Sequence, residues 1–200
     1  MEEMIQFDSE GLALEGLMGK NSGDKAVVVT HPHPLYGGDM YNYVVEWITS
    51  VYYSYGYTTL RFNFRGVGNS QGRHDNGIRE QNDVLSAIST LKGQGLKSVD
   101  LAGYSFGSWV NAELVHRQPA ADRLVMISPP VGFVNFESIE ELTSLELVIT
   151  GSMDDIAPAD ILREKILVWN KNARLEVIEG ADHFYSGFGE ELSRIVSSIL

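Results

Sequence analysis

Val99-Asp100-Leu101-Ala102-Gly103-Tyr104-Ser105-Phe106-Gly107-Ser108-Trp109 is the stretch whose reading decides the fold. An apolar run suited to a buried strand ends in Gly-Tyr-Ser-Phe-Gly, and a helix-compatible segment follows at once. The spacing predicts a strand, a very tight turn and a helix, with Ser105 held at the turn in a strained backbone conformation. Side chains two positions to either side would collide with neighbouring backbone, hence Gly103 and Gly107. Such a turn lifts the Ser105 hydroxyl above the carboxyl end of a sheet and sets it at a helix N-terminus, where peptide dipoles favour developing negative charge. A chance Gly-Ser-Gly turn would look the same over five residues, so the rest of the chain must decide.

Outward from this stretch, strand and helix alternate. Lys25–Thr30 is a continuous β-branched run of the kind buried on both faces, and Tyr57–Phe64, Arg123–Ser128, Leu145–Thr150 and Arg174–Ile178 read as further strands. Helical spacing of apolar residues covers about 42–55, 77–92, 158–169 and 187–200. Met4–Phe7 and Leu12–Met18 predict an antiparallel edge hairpin joined by Asp8–Gly11. His31-Pro32-His33-Pro34-Leu35-Tyr36-Gly37-Gly38-Asp39-Met40, with two prolines and two glycines, is expected to be neither helix nor strand. The alternation argues a mostly parallel doubly wound sheet with right-handed crossovers. No linker or repeat interrupts residues 1–200, so one domain is expected.

Bulk properties narrow the chemistry. A 200-residue chain with 44% hydrophobic content can bury a sizeable core. Its formal net charge of −12 argues against nucleic acid or an anionic membrane surface as partner. The sequence contains no cysteine, so disulfides, thiolate metal sites and a cysteine nucleophile are excluded. The acidic start Met1-Glu2-Glu3-Met4 lacks a signal-peptide pattern and no apolar run approaches the ~18 residues of a membrane span. A cytoplasmic protein is the expectation.

In a doubly wound sheet, reactive groups gather beyond the carboxyl ends of the strands. Four loops fall there: His31–Met40, the Ser105 turn, Gly151–Pro158 and Gly180–Gly187. A serine hydroxyl needs a base within hydrogen-bond reach and a third group to orient that base. Gly151-Ser152-Met153-Asp154-Asp155-Ile156-Ala157-Pro158 supplies a carboxylate, from Asp154 or Asp155, just past one strand. Gly180-Ala181-Asp182-His183-Phe184-Tyr185 supplies a histidine just past the next. The order Ser, Asp, His is the one an elbow serine requires.

These motifs together resemble the α/β-hydrolases, and specifically their small, lidless, dienelactone-hydrolase-like branch of serine esterases. The resemblance rests on His31–Gly38, Leu60-Arg61-Phe62-Asn63-Phe64-Arg65-Gly66-Val67-Gly68-Asn69-Ser70-Gln71-Gly72, Gly103–Gly107, Asp154 with Pro158, and Gly180–Phe184. It implies an α/β-hydrolase fold with an antiparallel N-terminal edge hairpin and no cap domain. It implies Ser105 as nucleophile, His183 as base and then acid, and Asp154 as its orienter, because the family's acid lies three residues after the strand-ending glycine. The implied activity is cleavage of a small carboxylic ester, or a thioester, through an acyl-enzyme on Ser105, without metal or organic cofactor. The other reading is a non-catalytic α/β-hydrolase fold used for binding, which normally shows itself by a lost member of the three.

The oxyanion of such a reaction needs two donors. The Phe106 N–H, directly after the serine, is the first. The second should come from the loop after Thr30, where Pro32 and Pro34 have no N–H, leaving His33, Leu35 or Tyr36, with Leu35 preferred. Only Pro129–Ser144 is available where lipase-like relatives insert a cap, which predicts an open, shallow site. Tyr36, Tyr104, Phe133 and Phe184 are the foremost candidates to line it, with Met40, Phe106, Trp109, Val131, Phe136 and Tyr185 also able to. Phe133-Val134-Asn135-Phe136 is a candidate homodimer contact. His31-x-His33 resembles a metal pair but lacks a third ligand nearby, so loop packing is the better reading. His74 reads as a surface residue, and the glycines from Gly66 to Gly72 read as loop-forming rather than dinucleotide-binding.

Overall fold

The computed structural model describes residues 2–200, arranged around an eight-stranded sheet in the order β1-β2-β4-β3-β5-β6-β7-β8. The strands are β1 (Glu2–Ser9), β2 (Leu12–Gly19), β3 (Lys25–Thr30), β4 (Thr58–Phe62), β5 (Ser98–Tyr104), β6 (Leu124–Ile127), β7 (Leu145–Gly151) and β8 (Arg174–Ile178). β1 pairs antiparallel with β2, and β2 with β4; every other pairing is parallel. The edge hairpin is tighter than the sequence suggests. Its turn is Glu10-Gly11 alone, both at positive φ (55° and 81°), so the strands run on to Ser9 and from Leu12.

Five helices cover the sheet: α1 (Tyr43–Ser54), α2 (Glu80–Gly93), α3 (Phe106–Arg117), α4 (Ala159–Trp169) and α5 (Gly189–Ser197). The central strands are buried on both faces, yet their side chains still alternate. Val27 and Val29 of β3 pack with Ala102, Ile127 and Ile149 against α1 and α5, while Val28, Leu101, Met126 and Val148 pack against α2, α3 and α4. Each fully buried aliphatic side chain contributes about 1.5–3 kcal/mol relative to an exposed one. α1 begins where the Asn42 side chain accepts from the Val44 N–H, and it buries Val44, Val45, Ile48 and Tyr52 at helical spacing. None of the helices is long and apolar enough to cross a membrane, among the described residues.

Residues 129–144, between β6 and β7, form turns with no helix or strand, so no cap covers the sheet. Phe136, Ile139 and Leu142 from this segment are instead buried in the core. The His31–Met40 loop departs from expectation in one respect. Pro34–Tyr36 closes one turn of 3₁₀ helix, entered by a proline and capped by the His33 ring, and left at Gly37 in the left-handed region (φ 79°).

Register brings the four loops together. Tyr104 lies opposite Ile127, and Ile127 opposite Ile149, so Ser105, Ser128 and the end of β7 emerge side by side at the carboxyl edge. Gly151 lies opposite Ile178, which brings the loop bearing Asp154 beside the loop bearing His183.

Candidate active site

Ser105 stands at φ 52°, ψ −120°, between the last residue of β5 and the first of α3. A non-glycine residue there costs on the order of 1–3 kcal/mol, which the packing on either side must hold in place. The two glycines are required by close approach. A Cβ on Gly103 would sit 2.6 Å from the Ser108 backbone, and one on Gly107 would sit 2.6 Å from Thr30 Oγ1 and 2.7 Å from the His31 carbonyl oxygen. The Ser105 N–H donates to the Ile127 carbonyl (2.9 Å), tying the turn to β6.

Ser105 Oγ lies 2.9 Å from His183 Nε2, and His183 Nδ1 lies 2.9 and 3.0 Å from the two carboxylate oxygens of Asp154. The structure therefore joins the three residues in one hydrogen-bonded line, and it separates the two candidate aspartates. Asp154 is buried at 4% exposure, while Asp155 is exposed. Asp154 Oδ1 accepts from the Ile156 and Ala157 N–H groups (2.9 and 2.8 Å), and Oδ2 from the Ser128 hydroxyl (2.6 Å). Burial works against its charge, but the hydrogen bond and charge of His183, then the Ser128 hydroxyl and the Ala157 N–H, hold its carboxyl below the ordinary carboxylate value. The His183 carbonyl accepts from Tyr104 OH (2.7 Å), which anchors the histidine loop over β5.

The loop after β3 distinguishes the three candidates for second oxyanion donor by the partners of their N–H groups. The Leu35 N–H donates to His33 Nδ1 (3.2 Å), and Leu35 is 70% exposed, away from the cleft. The Tyr36 and Gly38 N–H groups both donate to the His33 carbonyl, and Gly37 donates to Pro34 (3.1 Å each). The capping turn that shapes this loop has thus engaged the N–H groups of Leu35 and Tyr36. Among the described residues, the N–H left without an acceptor between Pro32 and Gly38 is that of His33. Phe106 is the first residue of α3, and its N–H has no intrahelical acceptor.

The rings of His31 and His33 are both tied into their own loop. His31 is fully buried, donates from Nδ1 to the Pro32 carbonyl (2.7 Å) and accepts the Phe64 N–H at Nε2 (3.1 Å), which bolts the loop to the end of β4. Burial pushes its pKa down to about 4. His33 Nδ1 must be unprotonated to accept from Leu35; burial, and then the neighbouring His74, lower its pKa as well. His74 is not the surface residue expected, since its ring lies 5.1 Å from that of His33 and 5.5 Å from that of Phe106. No group of three His, Asp or Glu side chains placed to hold a metal occurs among the described residues.

Ser105 and His183 open into a cleft of about 390 Å³ walled by Tyr36, Pro130, Phe133, Val134, Ile156 and Phe184. Of the lining candidates, Tyr36, Tyr104, Phe106, Phe133 and Phe184 are there. Met40, Phe136 and Tyr185 are in the core, and Trp109 and Val131 pack against it. Phe136 stacks on Trp169 (centroids 5.3 Å apart), so of the candidate dimer stretch Phe133 is the exposed aromatic. Sequence reasoning missed Pro130, Val134 and Ile156 in the walls, and it missed Ser128 behind Asp154. Ser128 carries no motif signal beyond ending a strand.

No family model matches the chain. An uncharacterized protein of Rickettsia prowazekii is 34% identical over 98% of this chain and 87% of its own length. An alpha-beta serine hydrolase homologue from Coxiella burnetii has the same fold (TM-score 0.91) at 31% identity, covering 99% of this chain and 97% of that one. An α/β serine hydrolase without lid from Xanthomonas campestris gives a TM-score of 0.90 at 25% identity, covering 98% and 92%. With this identity across nearly the whole of both chains, and with no cap over the sheet, the chain belongs to the α/β-hydrolase family, in its lidless branch.

Proposed function

We propose that this hydrolase cleaves small, neutral carboxylic esters through an acyl-enzyme on Ser105. The observation that carries the reading is the line Ser105–His183–Asp154 at 2.9 Å steps, opening on an apolar cleft. Ser105 Oγ attacks the ester carbonyl while His183 Nε2 takes its proton, and Asp154 holds the resulting imidazolium. The oxyanion receives the N–H groups of Phe106 and, by elimination within its loop, His33. Collapse expels the alcohol, protonated by His183. Water, deprotonated by the same nitrogen, then releases the acid and restores Ser105.

The walls favour an apolar acyl group, because no Asp, Glu, Lys or Arg among the described residues lines the cleft and the chain carries a net charge of −12. Thioesters present the same carbonyl to the same groups. A purely binding role is less well supported: Ser105 and His183 are in contact, and the Tyr36 and Phe184 rings stand at the rim, 75% and 58% exposed, rather than plugging the cleft. The test is hydrolysis of p-nitrophenyl esters of increasing acyl length. Short chains should turn over with burst kinetics and be unaffected by chelator, a fluorophosphonate should label Ser105, and Ser105→Ala should abolish both. Undiminished turnover by Ser105→Ala would overturn the reading.

A further inference from the structure

Asp154 is supported from behind by two side chains that belong to no motif. Ser128, the residue after β6, places Oγ 2.6 Å from Asp154 Oδ2, and the Tyr185 hydroxyl lies 2.7 Å from Ser128 Oγ. Ser128 and Tyr185 are both fully buried. Their proton positions follow from chemistry. An ionised carboxylate only accepts, so Ser128 must donate to Asp154. Having spent its single proton there, Ser128 must accept from Tyr185.

Both residues also hold an uncommon backbone conformation, shared with Glu10, Asn76 and Ser105. Ser128 has φ 44° and Tyr185 φ 56°, a region that non-glycine residues seldom occupy. Alanine and phenylalanine would fill the same space, so packing alone does not call for the two hydroxyls. A connected pair of donors ending on the carboxylate does call for them.

We propose that Ser128 and Tyr185 are positioning residues for the base, forming a line Tyr185–Ser128–Asp154–His183–Ser105 that sets how strongly Asp154 holds the His183 proton. The proposal rests on the acyl-enzyme reading above for its role in turnover. The groups facing this line are few. Tyr104 donates to the His183 carbonyl from the end of β5, Asp182 precedes His183 in its loop, and Tyr43 of α1 donates to the Phe184 carbonyl. The ion-pair partner of Asp154 among the described residues is His183. Drawing charge toward Ser128 weakens the attraction of Asp154 for the imidazolium. Without that donor the carboxylate grips the proton harder, and His183 should stay protonated to higher pH.

The test reads the His183 titration by NMR of histidine-labelled full-length protein carrying Ser105→Ala, so that it does not depend on turnover. Ser128→Ala should raise the His183 pKa by about half a pH unit. Tyr185→Phe should raise it by less, and should add nothing in the Ser128→Ala background, because Tyr185 acts through Ser128. With Ser105 restored, Ser128→Ala should lower kcat on p-nitrophenyl acetate at unchanged KM by about threefold on the acid side of the rate profile, the factor that half a pH unit of added protonation of the base implies. If Ser128→Ala does not fold, Tyr185→Phe alone must still shift the titration. An unmoved His183 titration, or an equal effect of Tyr185→Phe in both backgrounds, would overturn the proposal. Neither outcome would touch the hydrolase reading, which stands or falls with Ser105→Ala.

Discussion

Replacing Gly107 by alanine tests whether the close approach of α3 to β3 sets the reacting geometry. The added Cβ would lie 2.6 Å from Thr30 Oγ1 and 2.7 Å from both the Thr30 carbonyl carbon and the His31 oxygen. Ordinary contact begins at 3.4 Å, so α3 and the loop after β3 must part by about 0.7–0.8 Å. Two of the three obstacles are backbone and cannot swing away. The third, Thr30 Oγ1, is held by Asn111 Nδ2 at 2.9 Å. Overpacking of this kind costs on the order of 2 kcal/mol, which lowers Tm by about 5 °C in a chain of this length. The catalytic effect should be larger than the loss of stability. Displacing the Phe106 N–H from the His33 loop by nearly 1 Å would open the proposed oxyanion site, and a misplacement of that size costs about a hundredfold. The assay is the rate of Ser105 labelling by a fluorophosphonate, measured well below Tm. Gly93→Ala, at the end of α2 with nothing within 4 Å of the new Cβ, is the control and should leave labelling unchanged. Labelling of Gly107→Ala within threefold of the parent would refute the reasoning.

Two further predictions concern stability. His31 has a pKa of about 4 in the folded chain against an ordinary 6.5, so its neutral form is the native one. The stability this provides is complete above pH 6.5 and drains away as pH falls toward 4, by about 3 kcal/mol in total. His31→Gln should flatten that part of the urea-unfolding profile, whereas parallel profiles for the two proteins would exclude His31 as its source. The Asp154 carboxyl, held below 3.8, gives up its contribution only at lower pH and does not confuse this window. Asp83 is fully buried and binds Arg65 Nε and Nη2, the Arg65 N–H and the Ser9 hydroxyl. Asp83→Asn leaves that guanidinium with the half-exposed Glu10 as its remaining carboxylate partner and should cost about 3–5 kcal/mol by thermal or chemical unfolding. A loss under about 1 kcal/mol would mean that Glu10, which reaches Arg65 from the surface, compensates the charge by itself.

Much of the site was legible because its signals are local. Gly103 and Gly107 report a turn too tight for Cβ atoms. The β-branched run of β3 reports burial on both faces, and Asp154 and His183 each follow a strand end by a few residues. Which amide of the loop after β3 stays without an acceptor was not legible, because it turns on the His33 ring taking the Leu35 N–H. Nor was the place of Tyr185, which reads like a cleft aromatic until its positive φ turns it inward against Ser128.

The sequence alone determined the alternation of strands and helices, the strained serine turn, and the order of the three groups that meet there. Those are properties of periodicity and of glycine, carried over a few residues. Tertiary structure alone decided which aspartate is buried, which loop amide stays free, and what stands behind the carboxylate. Each depends on the direction of a hydrogen bond, or the burial of a side chain, between segments dozens of residues apart, such as Ser128 with Tyr185 or Asp154 with His183. Such partners come together only through the register of β5, β6, β7 and β8.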